Sequence, residues 1–273
     1  MNPSAYANAF LQQAIDLFFR FWPRPTPPIS CLKSCKIISH RGEFDNRGIF
    51  ENSIAAFGKA ESLGAWGIEF DIRWTRDLQP VVFHDRSLIR LFGSPRRISH
   101  MTWSEIQQHY PSIPLLSEVV ERYGGRLHLM IEIKSEEYPD PARQSALLKS
   151  LLEGLASGAD YHMLSLHPEM FHLIDFASLK SCLPIAEFNI RRLSDLALNS
   201  GYCGITGHYL MVTASCLARH KQAGQQVGTG FVCSKNSLYR ELNRGIEWVF
   251  TNQAGKLLQI IQAAASGKMH PAR

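Results

Sequence analysis

Residues 66–72 read Trp-Gly-Ile-Glu-Phe-Asp-Ile, a pattern that predicts a buried β-strand carrying two acids. Side chains alternate along a strand, so the isoleucines and the phenylalanine take one face while Glu69 and Asp71 take the other. The apolar face is expected to pack under helices, which leaves the two carboxylates pointing into the interior. Because an unpaired carboxylate is costly there, this strand predicts a charged site within the fold.

Short apolar runs alternate with helical stretches along most of the chain. The candidate strands are residues 36–39, 66–72, 81–83, 127–133, 162–166, 183–186, 203–206, 227–232 and 248–251. The candidate helices include residues 52–63, 117–123, 141–156, 168–177, 194–199, 214–223, 237–243 and 254–265. Such alternation is typical of a parallel sheet, and about eight units favour a closed (β/α)8 TIM barrel over a doubly wound sheet. The sequence offers nine candidate strands, whereas the barrel has eight, and residues 183–186 and 203–206 are the two doubtful candidates.

The length and composition suit one α/β barrel with an appendage. The chain has 273 residues, of which 45% are hydrophobic and 19% charged, and a barrel of this kind needs about 250 residues. Residues 1–30 are assigned to an N-terminal extension and residues 31–273 to the barrel. The net charge of +5, without a long basic run, does not favour nucleic acid as a partner. The glycine-rich motifs of dinucleotide and P-loop proteins do not occur in the sequence.

The extension is predicted to contain an amphipathic helix over residues 4–22. Its polar residues recur every four positions opposite a broad apolar face, and the proline-rich segment 23–28 forms a stiff spacer after it. Two roles stay open: packing on the barrel floor or in a subunit contact, and peripheral contact with a membrane. A secretory signal and a spanning helix are not expected, because Asp16 interrupts the apolar face and the uninterrupted apolar runs are short.

Six cysteines are scattered through the chain without a C-x-x-C pair, which disfavours a zinc site. We therefore expect reduced thiols in a cytoplasmic protein, with or without peripheral attachment to a membrane. The oligomeric state is not set by any pattern in the sequence.

Reactive side chains are predicted to meet at one end of the barrel. The carboxyl ends of barrel strands face a common mouth, where functional residues lie. His40 and His84 each directly follow a candidate strand, so both are expected at that mouth. Glu132 and Lys134 share the inward register of the strand at residues 127–133. Three carboxylates from two strands are thus expected in one place.

This set of side chains indicates metal-assisted phosphodiester chemistry. Three acids without a cysteine suit one divalent cation, Mg²⁺ or Ca²⁺. Arg41 can bind a phosphate in a bidentate manner, and Lys134 can act on it as a point charge. His40 and His84 can serve as general base and general acid. Each group alone could equally form a structural ion network, but their joint occurrence at strand ends favours a functional site.

Five motifs occur in a fixed order along this part of the chain. They read His-Arg-Gly at 40–42, Glu-Asn-Ser at 51–53, Glu-Phe-Asp at 69–71, Pro-Val-Val-Phe-His-Asp at 80–85 and Glu-Ile-Lys at 132–134. With these motifs the sequence resembles the glycerophosphodiester phosphodiesterase family over about residues 36–257. The resemblance implies a barrel-fold hydrolase with an acid/base pair formed by His40 and His84. The metal ligands that it implies are Glu69, Asp71 and Glu132.

The same resemblance implies that Arg41 holds the phosphate and that Asn52 contacts the metal or the substrate, unless Asn52 simply caps the following helix. The late motifs depart from the family pattern. Phe-Val-Cys-Ser at 231–234 stands where the family often has W-T-V-N, and Thr-Asn at 251–252 stands for T-D. The resemblance implies that these positions surround the alcohol side of the substrate, so they leave substrate choice more open than the chemistry.

The favoured hypothesis is hydrolysis of a small glycerophosphodiester to glycerol phosphate and an alcohol. His84 is favoured as the acid and His40 as the base, although the sequence does not fix this order. Either water attacks directly, or a substrate hydroxyl attacks first and forms a cyclic phosphate. One alternative is a lipid substrate, cleaved in a lysophospholipase D- or phospholipase C-like reaction at a membrane. Another is a non-catalytic phosphate-binding barrel.

Overall fold

The computed structural model describes residues 18–19 and 21–266. Most of the predicted helix at residues 4–22 therefore lies outside the described residues. Of its described part, Phe19 packs edge-on against Tyr209, with ring centroids 5.5 Å apart. Within the described ranges, no helix is both long enough and apolar enough to cross a membrane.

The described residues include nine β-strands. They are β1 (Lys36–His40), β2 (Gly67–Trp74), β3 (Pro80–Val82), β4 (His128–Ile133), β5 (Tyr161–Ser165), β6 (Cys182–Ala186), β7 (Gly204–His208), β8 (Gln226–Gly230) and β9 (Trp248–Thr251). All except β3 pair in parallel, and β1 bonds to both β2 and β9, which closes the sheet. The predicted α/β fold, an eight-stranded TIM barrel, is confirmed. The two doubtful strands of the sequence are β6 and β7 and belong to the barrel wall.

Strand β3 does not belong to that wall. It pairs with β2 in the antiparallel direction at residues 72–74, beyond the point where the pairing of β1 with β2 ends at Glu69. Treating residues 81–83 as a parallel barrel strand was therefore wrong. A short apolar run shows that a segment is buried, but it does not show the direction in which the segment pairs.

Helices alternate with the barrel strands. They are α1 (Ile29–Ser34), α2 (Ile54–Ser62), α3 (Ile89–Phe92), α4 (Trp103–His109), α5 (Leu116–Tyr123), α6 (Pro141–Leu152), α7 (Ile190–Ser200), α8 (Ala214–Gln222), α9 (Lys235–Asn243) and α10 (Ala254–Ala265). A 3-10 helix, Pro168–Ile174, replaces the α-helix predicted at residues 168–177. Helices α3 and α4 follow β3 and pack on it through a small apolar cluster that includes Phe83 and Leu88.

The side-chain register of the wall is the predicted one. The apolar residues of β2 that alternate with its acids pack with helix residues such as Phe57 in the main core. The middle of the barrel is filled by a separate apolar layer. Its buried members are Ile38, Met130, Leu164, Leu183, Trp248 and Phe250. This layer separates the charged mouth from the opposite end of the barrel.

A histidine pair lies at that opposite end, where the strands begin. His128 Nε2 is 2.7 Å from His162 Nδ1, and the ring of Trp66 stacks on His128 with centroids 4.3 Å apart. Lys36 Nζ lies 4.6 Å from the centre of the Trp66 ring. Burial lowers the pKa of His128 to about 4 and that of His162 to about 3. Both imidazoles are therefore neutral near pH 7.

We predict that the His162→Gln variant gains stability relative to the wild type as the pH falls. In the unfolded chain this histidine binds a proton below a pKa of 6.5, whereas the folded chain excludes the proton down to a pKa of about 3. At pH 5 this group alone therefore lowers the free energy of unfolding of the wild type by about 2 kcal/mol. Urea denaturation at pH 7.5, 6 and 5 measures the effect.

The exposed Gln107 provides the control, because Gln107→Ala removes no proton-binding group and should keep the same difference from the wild type at every pH. A pH-independent difference between His162→Gln and the wild type would contradict the prediction.

Candidate active site

Three buried acids meet at the mouth of the barrel. The register of β2 and β4 places Asp71 directly beside Glu132, and Glu69 lies two residues before Asp71 on the same face. Each of the three carboxylates offers an oxygen, and these oxygens lie within 4.8 Å of one another. The structure thus brings together all the acids that the sequence predicted for a metal site.

Two cations lie among these acids. Lys134 Nζ is 2.5 Å from Asp71 Oδ1 and 2.6 Å from Glu132 Oε1. Arg41 Nε is 3.4 Å from Asp71 Oδ2. Within this group, two positive charges face three carboxylates. Glu69 is the acid left over, and its buried Oε2 has no hydrogen-bond partner among the described residues.

The protonation of the three acids differs because their surroundings differ. Burial raises the pKa of Glu69 well above its usual range, and the charges of Asp71 and Glu132 raise it further. Burial also disfavours the charged form of Asp71, but Lys134 and Arg41 outweigh it and hold the pKa of Asp71 well below its usual range. Burial raises the pKa of Glu132 to about 7, although Lys134 opposes the change. Glu69 is thus the acid that most needs a proton or an added cation.

His40 ends β1 and faces this acidic cluster. Its Nδ1 is 2.5 Å from Asn252 Oδ1, and its Nε2 is 3.6 Å from Glu69 Oε2. Because a carboxamide oxygen only accepts, Nδ1 carries the proton and Nε2 is left as the basic nitrogen. Burial lowers the pKa of His40 to about 4, and the charge of Arg41 lowers it as well.

His84 reaches the mouth on the segment that follows β3. Phe83 N donates to the carbonyl of Asp71 at 2.9 Å, which returns the chain to the end of β2. Arg73 Nε and Nη2 donate to the carbonyl of His84 at 3.0 and 2.7 Å. His84 therefore lies at the mouth, as predicted. The hairpin formed by β2 and β3 brings it there, and not the end of a barrel strand.

The ring of His84 is oriented by a carboxylate. His84 Nδ1 is 2.6 Å from Asp85 Oδ1, so Nδ1 donates and Nε2 is directed elsewhere. Burial lowers the pKa of His84, while the hydrogen bond to Asp85 opposes that change. The two histidines of the mouth are thus both neutral. The Nδ1 of His40 contacts the amide of Asn252, whereas the Nδ1 of His84 contacts the carboxylate of Asp85.

A tight turn after β1 presents Arg41 to the acids. Arg41 has a φ of 61° and Gly42 a φ of 80°, both in the left-handed region. A Cβ at position 42 would lie 2.7 Å from the Cβ of Ala56, so only glycine fits against α2 there. Arg41 N donates to the carbonyl of Glu69 at 2.7 Å. The His-Arg-Gly sequence is therefore explained by the backbone of the turn as well as by its side chains.

Comparison with known proteins places the chain in a family. The model of the Glycerophosphoryl diester phosphodiesterase family matches residues 40–183, which is more than half of the chain. The chain belongs to that family. Its named relatives are phosphoric diester hydrolases, and the chain is an enzyme of that class.

Named relatives agree with this assignment, and a solved structure shares the fold. The glycerophosphodiester phosphodiesterase of Caldanaerobacter subterraneus subsp. tengcongensis is 25% identical over 83% of this chain and 97% of its own length. The mouse protein named glycerophosphodiester phosphodiesterase 1 is 32% identical, over 49% of this chain and 44% of its own. The crystal structure of the Thermotoga maritima glycerophosphodiester phosphodiesterase superposes with a TM-score of 0.69 at 20% identity, covering 83% of this chain and 98% of that one.

Within this family site, Asn52 is not the helix cap that the sequence left as one option. Ser53 caps α2, since its Oγ accepts from Ala56 N at 3.2 Å. Asn52 has a φ of 57°, and its Nδ2 donates to Asp71 Oδ2 at 2.8 Å. Its buried Oδ1 has no hydrogen-bond partner among the described residues. The structure therefore adds Asn52 to the acidic cluster.

Some contacts of the family site were not predicted from the sequence. Arg73 could have been found, because it shares the inward register of Glu69 and Asp71 on β2. Asp85 belongs to one of the five motifs but was given no role. Arg90 lies on the short helix α3, in a part of the sequence without a repeating pattern. Of the two further histidines near strand ends, His167 pairs with Glu169 at 3.2 Å and is half exposed. The other, His208, stacks on Phe231 with ring centroids 5.4 Å apart.

A small open cleft lies beside His40. Its other walls come from the ends of β8 and β9, where the chain departs from the family pattern. They are Gly230, Phe231, Phe250, Thr251 and Asn252. Phe231 is half exposed and has a left-handed φ of 66°. The mouth is therefore charged on the side of β2 and β4 and uncharged on the side of β8 and β9.

Substitutions of two adjacent residues distinguish the effect of the helix cap on stability from the effect of the site on activity. Asn52→Gly keeps the left-handed backbone but removes the amide from Asp71, so it should lower kcat at least tenfold. Ser53→Ala removes the cap, which should reduce the free energy of unfolding by about 1 kcal/mol and leave kcat within about twofold. Steady-state kinetics and urea denaturation measure both effects. Equal kinetic losses in the two variants would contradict this division.

Proposed function

We propose that the protein hydrolyses glycerophosphodiesters to glycerol phosphate and an alcohol, using one divalent cation, Mg²⁺ or Ca²⁺. The observation that carries the proposal is the cluster of Glu69, Asp71 and Glu132 beside two neutral histidines in one barrel mouth. A phosphodiesterase of Oleispira antarctica, solved in complex with the product sn-glycerol-3-phosphate, supports the choice of substrate. It superposes with a TM-score of 0.69 at 20% identity, covering 83% of this chain and 96% of that one.

The donor atoms fit a hard cation. All three acids offer oxygens, and two buried oxygens at the cluster, Glu69 Oε2 and Asn52 Oδ1, have no hydrogen-bond partner among the described residues. Oxygen ligands of this kind suit Mg²⁺ and Ca²⁺. When bound, the cation supplies a positive charge that neutralises the phosphate oxygens in the transition state. It would also give the Glu69 carboxylate the positively charged partner that Lys134 and Arg41 give to the other two acids.

Arg41 and Lys134 supply the remaining positive charge for the phosphate. Both side chains are largely buried, at 18% and 8% exposed, and both contact Asp71. A guanidinium offers two parallel donors to a phosphate, whereas an ammonium acts as a point charge. Their position beside the acids supports binding of the phosphate close to the two histidines.

The surroundings of the histidines favour different roles. His40 is backed by the neutral amide of Asn252 and has a pKa of about 4, so its neutral Nε2 takes the proton from the attacking oxygen, as general base. The bond from phosphorus to the alcohol oxygen breaks as the new phosphorus–oxygen bond forms. His84 is backed by Asp85, a carboxylate that stabilises its imidazolium form, so His84 Nε2 takes up a proton from solvent before the reaction and then donates it to the leaving alkoxide.

The family relatives are named for glycerophosphodiesters, which favours this function over a membrane lipid substrate and over a non-catalytic barrel. The attacking oxygen belongs to water or to the glycerol hydroxyl of the substrate. A search for transient cyclic phosphate in rapidly quenched reactions distinguishes these two routes, because only attack by the substrate hydroxyl forms it.

Removal of either histidine should abolish turnover without unfolding the protein. His40→Ala and His84→Ala should each lower kcat by about 10²- to 10⁴-fold, the usual contribution of a general acid or base. Release of choline or ethanolamine from glycerophosphodiesters measures the rate, and circular dichroism checks the fold. His167→Ala, at a half-exposed position near the end of β5, should stay within about twofold of the wild type. Substantial turnover by either active-site variant would refute the acid/base assignment.

Chelation should stop the reaction, and a divalent cation should restore it. We expect loss of turnover in EDTA and recovery on addition of Mg²⁺ or Ca²⁺, with Mn²⁺ tested beside them. Glu69→Gln should weaken cation binding in calorimetric titration, because it removes the one carboxylate of the three that forms no ion pair with Lys134 or Arg41. Glu169→Gln, at an exposed surface site, is the control. Full activity after exhaustive chelation would remove the metal from the proposal while leaving the histidine test intact.

A further inference from the structure

Arg90 connects two acids that come from different parts of the chain. It lies on the short helix α3, outside the barrel wall. Its Nε donates to Asp85 Oδ2 at 2.6 Å. Its two terminal nitrogens donate to both oxygens of Glu51, at 2.8 and 2.7 Å. All three nitrogens of one guanidinium are thus engaged by two carboxylates.

Each of those acids also contacts a residue of the proposed site. The second oxygen of Asp85 is 2.6 Å from His84 Nδ1. Glu51 Oε1 accepts from Arg41 Nη1 at 3.0 Å. A continuous chain of hydrogen bonds therefore runs from His84, through Arg90, to Arg41.

The two carboxylates remain charged in this chain of contacts. Burial opposes the charged form of Glu51, whose side chain is only 3% exposed, but Arg90 and Arg41 lower its pKa to about 2. The bonds from His84 and Arg90 hold the pKa of Asp85 below its usual range against burial. A buried carboxylate that loses its fork-shaped partner is costly, so Arg90 contributes to the position of Glu51, which Asn46 Nδ2 also holds by a hydrogen bond of 2.8 Å. Asp85 is less buried, and Arg90 is the cation that faces its second oxygen.

We propose that Arg90 is a positioning residue that sets His84 and Arg41 together, by holding Asp85 against the one and Glu51 against the other. The inference rests on the proposed function, since it assigns the proton-donating and the phosphate-binding side chains to one shared support. Arg90 itself acts through Asp85 and Glu51 and not on the substrate. An ammonium cannot replace it, because lysine lacks the planar fork that bonds both oxygens of Glu51.

Kinetics of Arg90→Ala, Arg90→Lys and Arg96→Ala test the proposal. Arg96 is the matched control: it is 41% exposed against 42% for Arg90, lies six residues later and pairs with Glu105. Misplacement of reacting groups by about 1 Å costs about 100-fold in rate, so we expect both Arg90 variants to lose kcat by about that factor. Arg96→Ala should stay within about twofold, with a similar melting temperature.

Two further readouts separate positioning from a general loss of structure. Added guanidinium should restore part of the activity of Arg90→Ala but not of His84→Ala. The ¹⁵N chemical shifts of His84 should show a proton on Nδ1 in the wild type and in Arg96→Ala, and a mixed tautomer population in Arg90→Ala. An Arg90→Ala variant with wild-type kcat and an unchanged His84 tautomer would overturn the proposal, as would a rate loss that only matches the loss of folded protein.

The tautomer measurement needs no substrate. If the wild type cleaves no glycerophosphodiester, the proposed function fails, and the His84 spectra of Arg90→Ala still decide whether Arg90 positions that ring. If the wild type is active and Arg90→Ala changes neither kcat nor the His84 spectra, the proposed function stands and the role of Arg90 is refuted.

Discussion

The buried charge of Asp71 is the interaction on which the rest of the mouth depends. An ion buried to this extent loses several kcal/mol of hydration, so it persists only with well-placed partners. Lys134, Arg41 and Asn52 supply them, and each comes from a different part of the chain. The backbone of Asp71 also accepts from Phe83 N, which brings the hairpin back to the barrel. One residue thus joins β4, the turn after β1 and the start of α2 through its carboxylate, and the segment that carries His84 through its backbone carbonyl.

The acids and Lys134 were predictable because strand alternation is local. Once β2 and β4 are recognised as neighbouring parallel strands, the positions of Glu69, Asp71 and Glu132 follow from counting residues by two. The same reasoning failed for residues 81–83, whose few apolar side chains say nothing about the direction of pairing. It still gave the correct end of the barrel for His84, because the hairpin returns to the strand it leaves.

The remaining contacts could not be predicted because they depend on irregular backbone. Asn52 points at Asp71 only because its φ is positive, a conformation that its neighbours impose and that no periodic pattern reveals. Arg90 lies on a four-residue helix within a segment without regular repeats, and its partners are 5 and 39 residues away. Side-chain networks of this kind are set by tertiary packing, which a single sequence does not describe.

The asymmetry of the mouth bears on the order of proton transfers in the proposed reaction. Asp85 can stabilise a positive charge on His84, whereas Asn252 offers His40 a dipole without charge, and the adjacent Arg41 repels a second cation. His84, beside a carboxylate, therefore holds an added proton more readily. His40, beside a neutral amide, is more readily kept neutral and basic. An asparagine at position 252, where the resemblance to the family implies an aspartate, therefore supports the proposed assignment of the acid to His84 and the base to His40, because an aspartate there would place a carboxylate behind both histidines.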